Sequence, residues 1–357
     1  MHTLRAKNVH TILPIAMGYL KHMGTSAPSR NGAVLQSWEP VATIYENPEQ
    51  RVIFHDWRDA NPFFHFYESL WMLSGRRDVN PLTRYVKRMA SFSDDGKTFN
   101  AAYGYRWRAA RAWGAEYVSK DGKEHEHFPW ERDQLIEIAQ LLRTDHTTRQ
   151  CVLQIWNHEL DLGTQTKDHA CNIAVTFQID PDDVLNMVVF CRSNDIIWGC
   201  YGANAVHFSM LHEYMARRIG VLVGTYTQIS VNWHAYTEVF DPMYEKMMRS
   251  EKPISADEMV IRKNPYDEDV ESYPISDGIL DQTWDEDCRN FVTDDGKLPE
   301  KAAFKNMFFL DVAWPIVRAH GIYKDYNDIG VAIAALDDCR ASDWRRACQE
   351  WLERRRQ

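Results

Sequence analysis

The segment from Asp168 to Asn204 has the sequence DHACNIAVTFQIDPDDVLNMVVFCRSNDIIWGCYGAN. Two apolar runs, Ile173 to Ile179 and Val184 to Cys191, flank a turn-forming Asp-Pro-Asp-Asp sequence and predict a β-hairpin. A cysteine precedes the first run, a polar cluster beginning at Arg192 follows the second, and a helical pattern starts at Asn204. The hairpin would therefore bring one thiol close to an arginine, a serine, an aspartate and an asparagine. These side chains are the components of an anion-binding site with a thiol nucleophile.

Cys171 differs from the other cysteines in its position along the chain. It follows the polar segment Lys167-Asp168-His169 at the start of a predicted strand, where solvent can reach the thiol and nearby cations can stabilise a thiolate. The other six are predicted to be buried and inert, because free cysteine is among the most buried residue types. They are Cys151, Cys191, Cys200, Cys288, Cys339 and Cys348.

The composition limits the class of protein. The 357 residues are 45% hydrophobic, which is enough for a large core. A formal net charge of -10 argues against a nucleic-acid-binding protein, because such proteins usually carry a basic face. Seven cysteines without a CxxC pair argue against a disulfide or zinc framework, and no segment has the roughly 18 to 20 apolar residues that span a bilayer. We therefore expect a cytoplasmic protein that binds no metal, nucleic acid or membrane, although a local basic pocket can still bind a nucleotide.

Apolar periodicity outside the hairpin predicts an α+β protein. Further strands are predicted at Ala33 to Trp38, Val41 to Tyr45 and Cys151 to Trp156. Turn-forming and charged residues predict a loop at Ser26 to Gly32 and a surface hairpin at Gly114 to His127. Helices are predicted at Asn8 to His22, from Asn61-Pro62 to Leu73, and at Trp130 to Arg143, Lys301 to Arg318, Ile329 to Leu336 and Ser342 to Arg356.

Seven motifs occur in a fixed order over roughly residues 30 to 240. Together they resemble the thymidylate synthase superfamily, which includes phage and antibiotic-pathway pyrimidine hydroxymethylases. The resemblance implies a three-layer α+β fold with a mixed β-sheet at the interface of a homodimer. The motifs are Glu68-Ser-Leu-Trp-Met-Leu-Ser-Gly75, Tyr103-Gly-Tyr-Arg-Trp-Arg108, Thr148-Arg149 before a strand that ends Trp156-Asn157, Cys171, Arg192-Ser193-x-Asp195-x-x-x-Gly199, Asn204, and Asn232-Trp-His234-Ala-Tyr236.

The resemblance implies a role for each residue that it matches. Cys171 would be the nucleophile, and Arg192 would both activate it and bind the substrate phosphate. Glu68 and Tyr103 would manage protons at a pyrimidine ring. The other implied ligands are Arg30, Arg149, Ser193, Asn204, His234 and Tyr236 for the nucleotide, and Asp195 and Gly199 for a folate co-substrate.

Taken alone, several of these residues allow other interpretations. Glu68 also fits a half-exposed helical glutamate, and Tyr103 fits an aromatic residue packed at an interface. Asp195 also fits a turn or helix-capping aspartate. Arg30, in a loop that contains glycine, also fits a solvated surface arginine.

The sequence departs from the thymidylate synthase pattern at three points. Gln150 stands where the family has a second arginine that reaches the neighbouring subunit's phosphate, so only Arg149 is kept. No tryptophan lies between Trp71 and Trp107, whereas the synthases have one there that favours hydride transfer over attack by water. The link from Gly199 to Asn204 is one residue longer than usual. Asparagine at this position favours uracil, yet its amide can rotate to serve cytosine.

After about residue 250 the resemblance fades. Asn264 to Asp295 is acidic and rich in turn formers, which predicts a solvated excursion. We therefore expect a thymidylate-synthase-like catalytic domain over residues 1–250, followed by an acidic excursion and a helical extension over residues 251–357.

The leading functional hypothesis is a folate-dependent transferase that acts at carbon 5 of a pyrimidine nucleoside monophosphate. It would hydroxymethylate dUMP through a covalent Cys171 adduct, with 5,10-methylenetetrahydrofolate and water as co-substrates. A dCMP or CMP hydroxymethylase, a divergent thymidylate synthase that makes dTMP and dihydrofolate, and an inactive nucleotide-binding relative remain alternatives. A phage that makes modified DNA bases and a nucleoside antibiotic pathway are the two settings that fit.

Overall fold

The computed structural model describes residues 1–111, 131–251 and 264–356, so the predicted hairpin at 114–127 lies outside it. No helix among the described residues is both long and apolar enough to cross a membrane. The strands are β1 (His2–Ala6), β2 (Thr25–Ser29), β3 (Gly32–Ser37), β4 (Val41–Tyr45), β5 (Ala110–Arg111), β6 (Glu131–Arg132), β7 (Val152–Gln154), β8 (Asn172–Ile179), β9 (Val184–Asp195) and β10 (Leu222–Tyr236).

The α-helices are interrupted by several tighter or wider helical segments. Ile196–Ala203 and Phe309–Ala313 are π-helical, and Lys87–Phe92, Pro265–Asp267 and Lys301–Ala303 are 3-10 helices. The α-helices are α1 (Val9–Met23), α2 (Pro62–Leu73), α3 (Asn80–Thr83), α4 (Tyr103–Arg108), α5 (Gln134–Thr144), α6 (His158–Asp161), α7 (Asn204–Ile219), α8 (Thr237–Glu251), α9 (Gln282–Phe291), α10 (Trp314–Tyr326), α11 (Ile329–Ala334) and α12 (Ser342–Glu353).

Eight strands form one mixed β-sheet in the described part of the chain. Its order is β1-β4-β10-β9-β8-β7, with β3 paired to the end of β10 and β2 paired to β3. Strand β10 is parallel to β9 and β1 is parallel to β4, whereas β8 is antiparallel to both β7 and β9. The predicted hairpin is thus confirmed as β8 and β9, and the α+β class with a mixed sheet is confirmed as well.

Helix α2 lies in the centre of the core because nearly all of its side chains are apolar. Its start is fixed by Asn61, whose Oδ1 accepts a hydrogen bond from the Phe64 N–H at 3.1 Å. Helix α12 packs on it through edge contacts of Trp344 with Phe66 and of Trp351 with Phe63. One continuous hydrophobic core therefore includes the helical extension. The division into two domains at residue 250 stays a prediction.

The prediction of a solvated acidic segment is wrong for α9. Trp284 and Phe291 on this helix are fully buried. Asp285 is also buried, and its carboxylate accepts hydrogen bonds from Arg108 at 2.7 Å and from Arg218 at 3.0 Å. Buried carboxylates are tolerated when they are paired in this way. The acidic sequence suggested exposure to solvent because the arginines that neutralise Asp285 lie in distant parts of the chain.

Some predicted boundaries also differ from the structure. The predicted loop at Ser26 to Gly32 mostly forms β2, which pairs with β3 in a hairpin. Helix α5 begins at Gln134 because the Asp133 side chain caps it. The predicted helix at Lys301 to Arg318 is broken, and its regular α-helical part begins only at Trp314.

Helix α12 is tied to the segment that precedes α2. The Arg355 guanidinium lies 2.9 Å from the Asp59 carboxylate, and the Arg354 guanidinium lies 3.1 Å from it. The backbone of Asp59 has φ of 42°, in the left-handed region that few residues other than glycine adopt. Its neighbour Arg58 is buried and donates to the Ile197 carbonyl at 2.8 Å. The extension therefore contacts a segment, Arg58-Asp59, that is hydrogen-bonded to the π-helical segment directly after β9.

Candidate active site

Cys171 lies immediately before β8, where the backbone holds it between two other elements. Its N–H donates to the Tyr103 hydroxyl oxygen at 3.2 Å, and its carbonyl accepts from the Arg192 N–H at 2.9 Å. The strand register shifts between Asn172 and Ala174, as expected for an irregularity beside a functional residue. Cys171 is half-buried, whereas the other six cysteines are buried, which matches the sequence prediction.

The charge state of the Cys171 thiol depends on opposing effects. Burial raises its pKa, and the Arg192 guanidinium opposes that rise by favouring the thiolate. The carboxylates of Asp168 and Asp195 raise the pKa further, and a hydrogen bond with Tyr103 lowers it. Arg192 is therefore the group that does most to lower the Cys171 pKa and so to favour the thiolate.

The Arg192 side chain is fixed at its base and open at its end. Its Nε donates to the Ala170 carbonyl at 2.8 Å, and its guanidinium carbon lies 5.3 Å from the centre of the Trp156 ring. Its two terminal nitrogens form no hydrogen bond with the described residues. A guanidinium held in this way can bind an anion such as a phosphate. The next residue, Ser193, is half-buried and lies opposite Asn232 of β10.

A cavity of about 210 Å³ is lined by Tyr103, whose hydroxyl oxygen accepts the Cys171 N–H. Its polar lining consists of Glu68, Tyr103, Asp168, Asn204 and His207. Part of its wall is apolar, and α2, the segment after α3 and the start of α7 all contribute to it. The apolar lining includes Met89, Phe92 and Phe99. The cavity thus combines hydrogen-bonding groups with flat apolar surface, as small-molecule sites usually do.

Tyr103 remains a neutral phenol in this environment. Burial, followed by the negative charge available on Cys171 and Asp168, raises the pKa of Tyr103 well above its ordinary value. Its oxygen accepts the Cys171 N–H, and its hydrogen bond with the Cys171 thiol lowers the pKa of that thiol. Asp168 is held by the Ala101 N–H at 2.8 Å, and burial raises its pKa too.

Glu68 is buried and paired, so the interpretation of a half-exposed glutamate is wrong. Only 6% of Glu68 is exposed, and its Oε2 lies 3.0 Å from Nε2 of His207. His207 is three residues after Asn204 on α7, and this spacing places both on one face of the helix. The carboxylate, the imidazole and the Asn204 amide therefore line the same cavity.

The Asn204 amide belongs to a short chain of hydrogen bonds. Its Nδ2 donates to Asn194 Oδ1 at 3.4 Å, and Asn194 Nδ2 donates to Ser230 Oγ at 3.0 Å. A side chain at Gly199 would collide with this pair, because a Cβ there would lie 2.6 Å from Asn194 Oδ1 and 3.3 Å from Asn204 Nδ2. Glycine at position 199 thus leaves room for the two amides.

Asp195 acts as a helix cap in this structure. Its Oδ1 accepts from the N–H groups of Ile197 and Trp198, both at 2.7 Å. Burial raises the pKa of Asp195, although Arg58 and His234 favour its charged form. Burial also lowers the pKa of Arg58 to about 10. The second carboxylate oxygen of Asp195 has no hydrogen bond with the described residues.

His234 and Tyr236 lie together at the end of β10, as their alternate spacing predicts. Their ring centres are 5.6 Å apart, and His234 pairs in register with Asp195 of β9. The buried Nδ1 of His234 has no hydrogen-bond partner in the described part of the chain. By contrast, Arg30 and Arg149 are exposed, and neither contacts these groups within one chain.

A protein-family model described as thymidylate synthase matches residues 22–282, nearly three quarters of the chain. The chain belongs to the thymidylate synthase family. The resemblance inferred from seven motifs is thus confirmed, and the match continues beyond residue 250, where the motifs end.

Curated relatives in this family carry two kinds of name. The chain is 42% identical over 360 residues to the deoxyuridylate hydroxymethyltransferase of Pseudomonas phage M6, covering 100% of this chain and 95% of that protein. It is 37% identical over 234 residues to the enzyme of the same name from Bacillus phage SP01, covering 65% of this chain and 58% of that protein. A thymidylate synthase from Symbiobacterium thermophilum is 26% identical over 240 residues, covering 64% and 79%.

The motifs of the thymidylate synthase family missed three residues that the structure brings to the site. Asp168 lies three residues before Cys171, and His207 lies one helical turn after Asn204. Asn194 occupies a variable position inside the motif that begins at Arg192. The sequence spacing could have identified all three, because each lies within three residues of a matched residue.

Replacing Arg192 by glutamine should make Cys171 a weaker nucleophile. Because Arg192 lowers the Cys171 pKa, its loss should move the midpoint of thiol alkylation by iodoacetamide to higher pH and slow the reaction several-fold near neutrality. The reaction is followed by mass spectrometry, which separates Cys171 from the six buried cysteines. Arg143→Gln, at an exposed arginine of α5, is the matched control and should leave the midpoint unchanged. An Arg192→Gln profile identical to wild type would contradict the assignment.

Proposed function

We propose that this chain hydroxymethylates carbon 5 of dUMP, with 5,10-methylenetetrahydrofolate as the one-carbon donor and water as the final nucleophile. The observation that carries the proposal is the position of Cys171, which is hydrogen-bonded to Arg192 and to Tyr103, a residue that lines one cavity with Glu68 and Asn204. The two phage relatives named deoxyuridylate hydroxymethyltransferase support it.

The chemistry follows from the low nucleophilicity of carbon 5 in a uracil ring. Addition of the Cys171 thiolate at carbon 6 makes carbon 5 enolate-like, so that it can attack the one-carbon unit. Tyr103 and Glu68 line the cavity, and in this proposal they remove the carbon 5 proton. Loss of tetrahydrofolate then leaves an exocyclic methylene on the ring, which accepts either a hydride or water.

The segment between Trp71 and Trp107 favours water over hydride because it brings no tryptophan to the cavity, whose lining includes the indole of Trp71 itself. Met89, Phe92 and Phe99 line the cavity, in the part of the chain between Trp71 and Trp107 that has no tryptophan. In thymidylate synthases a tryptophan from this region packs near the folate and favours hydride transfer. Without that indole, the folate is held less firmly over the methylene, and water can reach it.

The Asn204 amide supports uracil as the base. Uracil offers a donor at N3 and an acceptor at O4, so it needs the amide oxygen at N3 and the amide nitrogen at O4. Asn194 Oδ1 already accepts one Asn204 N–H, which opposes rotation of the amide. The second N–H and the oxygen remain for the base. Cytosine would need the reverse orientation.

We further propose a homodimer in which the sheet forms the interface and each site borrows Arg149. One sheet face carries partly exposed apolar side chains at corresponding positions of neighbouring strands, which a partner could cover. They include Val152, Phe190, Ile229 and Val231. Arg149 is exposed just before β7, at the edge of this face. Arg30, Ser193 and Arg192 would complete the phosphate site, and His234 with Tyr236 would bind the sugar.

The free carboxylate oxygen of Asp195 and the backbone at Gly199 are the proposed folate contacts. The proposed setting is the cytoplasm of a phage-infected cell, where the product would become a modified DNA base. Such an enzyme needs neither nucleic acid nor a membrane as a partner.

A product analysis tests the proposed reaction directly. The purified protein is incubated with methylenetetrahydrofolate and equal amounts of dUMP, dCMP and CMP, and products are resolved by mass spectrometry while dihydrofolate absorbance is followed. We expect 5-hydroxymethyl-dUMP without dihydrofolate. A methylated product with equal dihydrofolate would instead identify a thymidylate synthase, and no product would leave only a nucleotide-binding role. The Cys171→Ser variant should be inactive.

Asn194→Ala should weaken discrimination between uracil and cytosine. Without its acceptor, the Asn204 amide can rotate, so the ratio of kcat/KM for dUMP to that for dCMP should fall roughly tenfold, the effect of about one hydrogen bond. Asn186→Ala removes an amide on the same strand that bonds Thr225 instead, and it should leave the ratio unchanged. Asn204→Asp should shift preference further toward cytosine. An unchanged ratio in Asn194→Ala would show that Asn194 does not determine the orientation of the Asn204 amide.

Mixed dimers test the shared site. Cys171→Ala and Arg149→Ala should each be nearly inactive alone, yet a mixed dimer has one site with both residues intact. After random exchange of equal amounts, about a quarter of wild-type activity should return. Native mass spectrometry verifies the exchange. No recovery in verified mixed dimers would contradict the proposal that Arg149 crosses the interface.

A further inference from the structure

His207 is a buried imidazole whose ring nitrogens form few contacts with the rest of the described protein. It is 2% exposed, and neither ring nitrogen forms a well-aligned hydrogen bond with the described residues. Its Nε2 lies 3.0 Å from Oε2 of Glu68, and the buried imidazole of His65 is close enough to interact with it electrostatically. His212, five residues further along α7, is also buried, but its Nε2 lies 2.6 Å from the Leu185 carbonyl. His207 Nδ1 is therefore a buried polar atom that lacks a hydrogen-bond partner in the described part of the chain.

The position of His207 identifies the part of the substrate that it faces. If Cys171 is bonded to carbon 6 and Asn204 binds the edge formed by N3 and O4, carbon 5 lies between these two anchors. His207, Glu68 and Tyr103 line the same cavity as Asn204. Any one-carbon group on carbon 5 would therefore project toward the imidazole.

We propose that His207 is the catalytic base that activates the water which captures the exocyclic methylene. This role rests on the proposed hydroxymethylation. The Nε2–H of His207 faces the Glu68 carboxylate, which leaves Nδ1 as the proton acceptor. Glu68 stabilises the imidazolium that forms, in the manner of a carboxylate that orients a histidine base.

The step balances without a further reagent. The water oxygen bonds to the exocyclic methylene carbon, and one water proton passes to Nδ1 of His207. The methylene π electrons move through carbon 5 to the O4 enolate. The enolate then restores the carbonyl and expels the Cys171 thiolate from carbon 6, which re-forms the ring double bond. Water becomes the hydroxyl group of 5-hydroxymethyl-dUMP, and the His207 proton returns to solvent.

The test separates formation of the methylene from its capture. Release of tritium from [5-³H]dUMP reports loss of the carbon 5 proton, and mass spectrometry reports 5-hydroxymethyl-dUMP. In wild type the two rates should be equal. In His207→Phe the product should form about 10²-fold more slowly, as expected for loss of a general base, while the first turnover still releases about one tritium per active site at a rate close to that of wild type. Added 2-mercaptoethanol should then capture the waiting methylene and give a thioether nucleotide.

Two further variants keep the test decisive. His207→Gln preserves a polar side chain of similar size without a base, so it should show the same loss of coupling even if the phenylalanine variant folds poorly. His212→Gln is the matched control on the same helix and should keep tritium release equal to product formation.

Parallel loss of tritium release and product in both His207 variants, without a thioether, would overturn the proposal and leave His207 a structural residue. A wild-type protein that makes dTMP and dihydrofolate would instead overturn the proposed function, so the two failures are distinct.

Discussion

The hydrogen bond from the Arg192 N–H to the Cys171 carbonyl is the link on which the site depends. It joins the start of β8 to the end of β9, and the Arg192 side chain bonds the neighbouring carbonyl of Ala170. A long and flexible cation is thereby held beside a thiol whose pKa burial raises, and the cation offsets part of that rise. The sheet supplies this geometry through its backbone, so the position of the charge does not rely on side-chain packing alone.

A second constraint is the presence of polar groups inside a closely packed core. Glu68 belongs to α2, the most apolar helix of the core, yet it faces a histidine and a cavity instead of a hydrocarbon wall. Burying such groups without full hydrogen bonding lowers stability. The surrounding aromatic contacts and the paired carboxylates of α9 offset that loss. Activity and stability therefore place opposite demands on the same helix.

Much of this arrangement could be predicted from the sequence, because it depends on local patterns. The hairpin, the distinct position of Cys171 and the helix that begins at Asn204 all follow from periodicity and turn residues. The burial of α9 could not be predicted, since Asp285 is neutralised by Arg108, which is distant in sequence. His207 was missed for a related reason: periodicity identifies a buried helix face, but it does not show which part of that face borders a cavity.

The contacts of Asp59 give the helical extension a meaning beyond added bulk. Arg354 and Arg355, which directly follow α12, donate hydrogen bonds to Asp59, whose backbone lies in the left-handed region. The adjacent Arg58 donates to the carbonyl of Ile197, in the π-helical segment that leads to Asn204. Hydrogen bonds thus connect residues that are nearly 300 positions apart in the sequence. Changes at the end of α12 would therefore reach the segment before Asn204 through Asp59, Arg58 and Ile197.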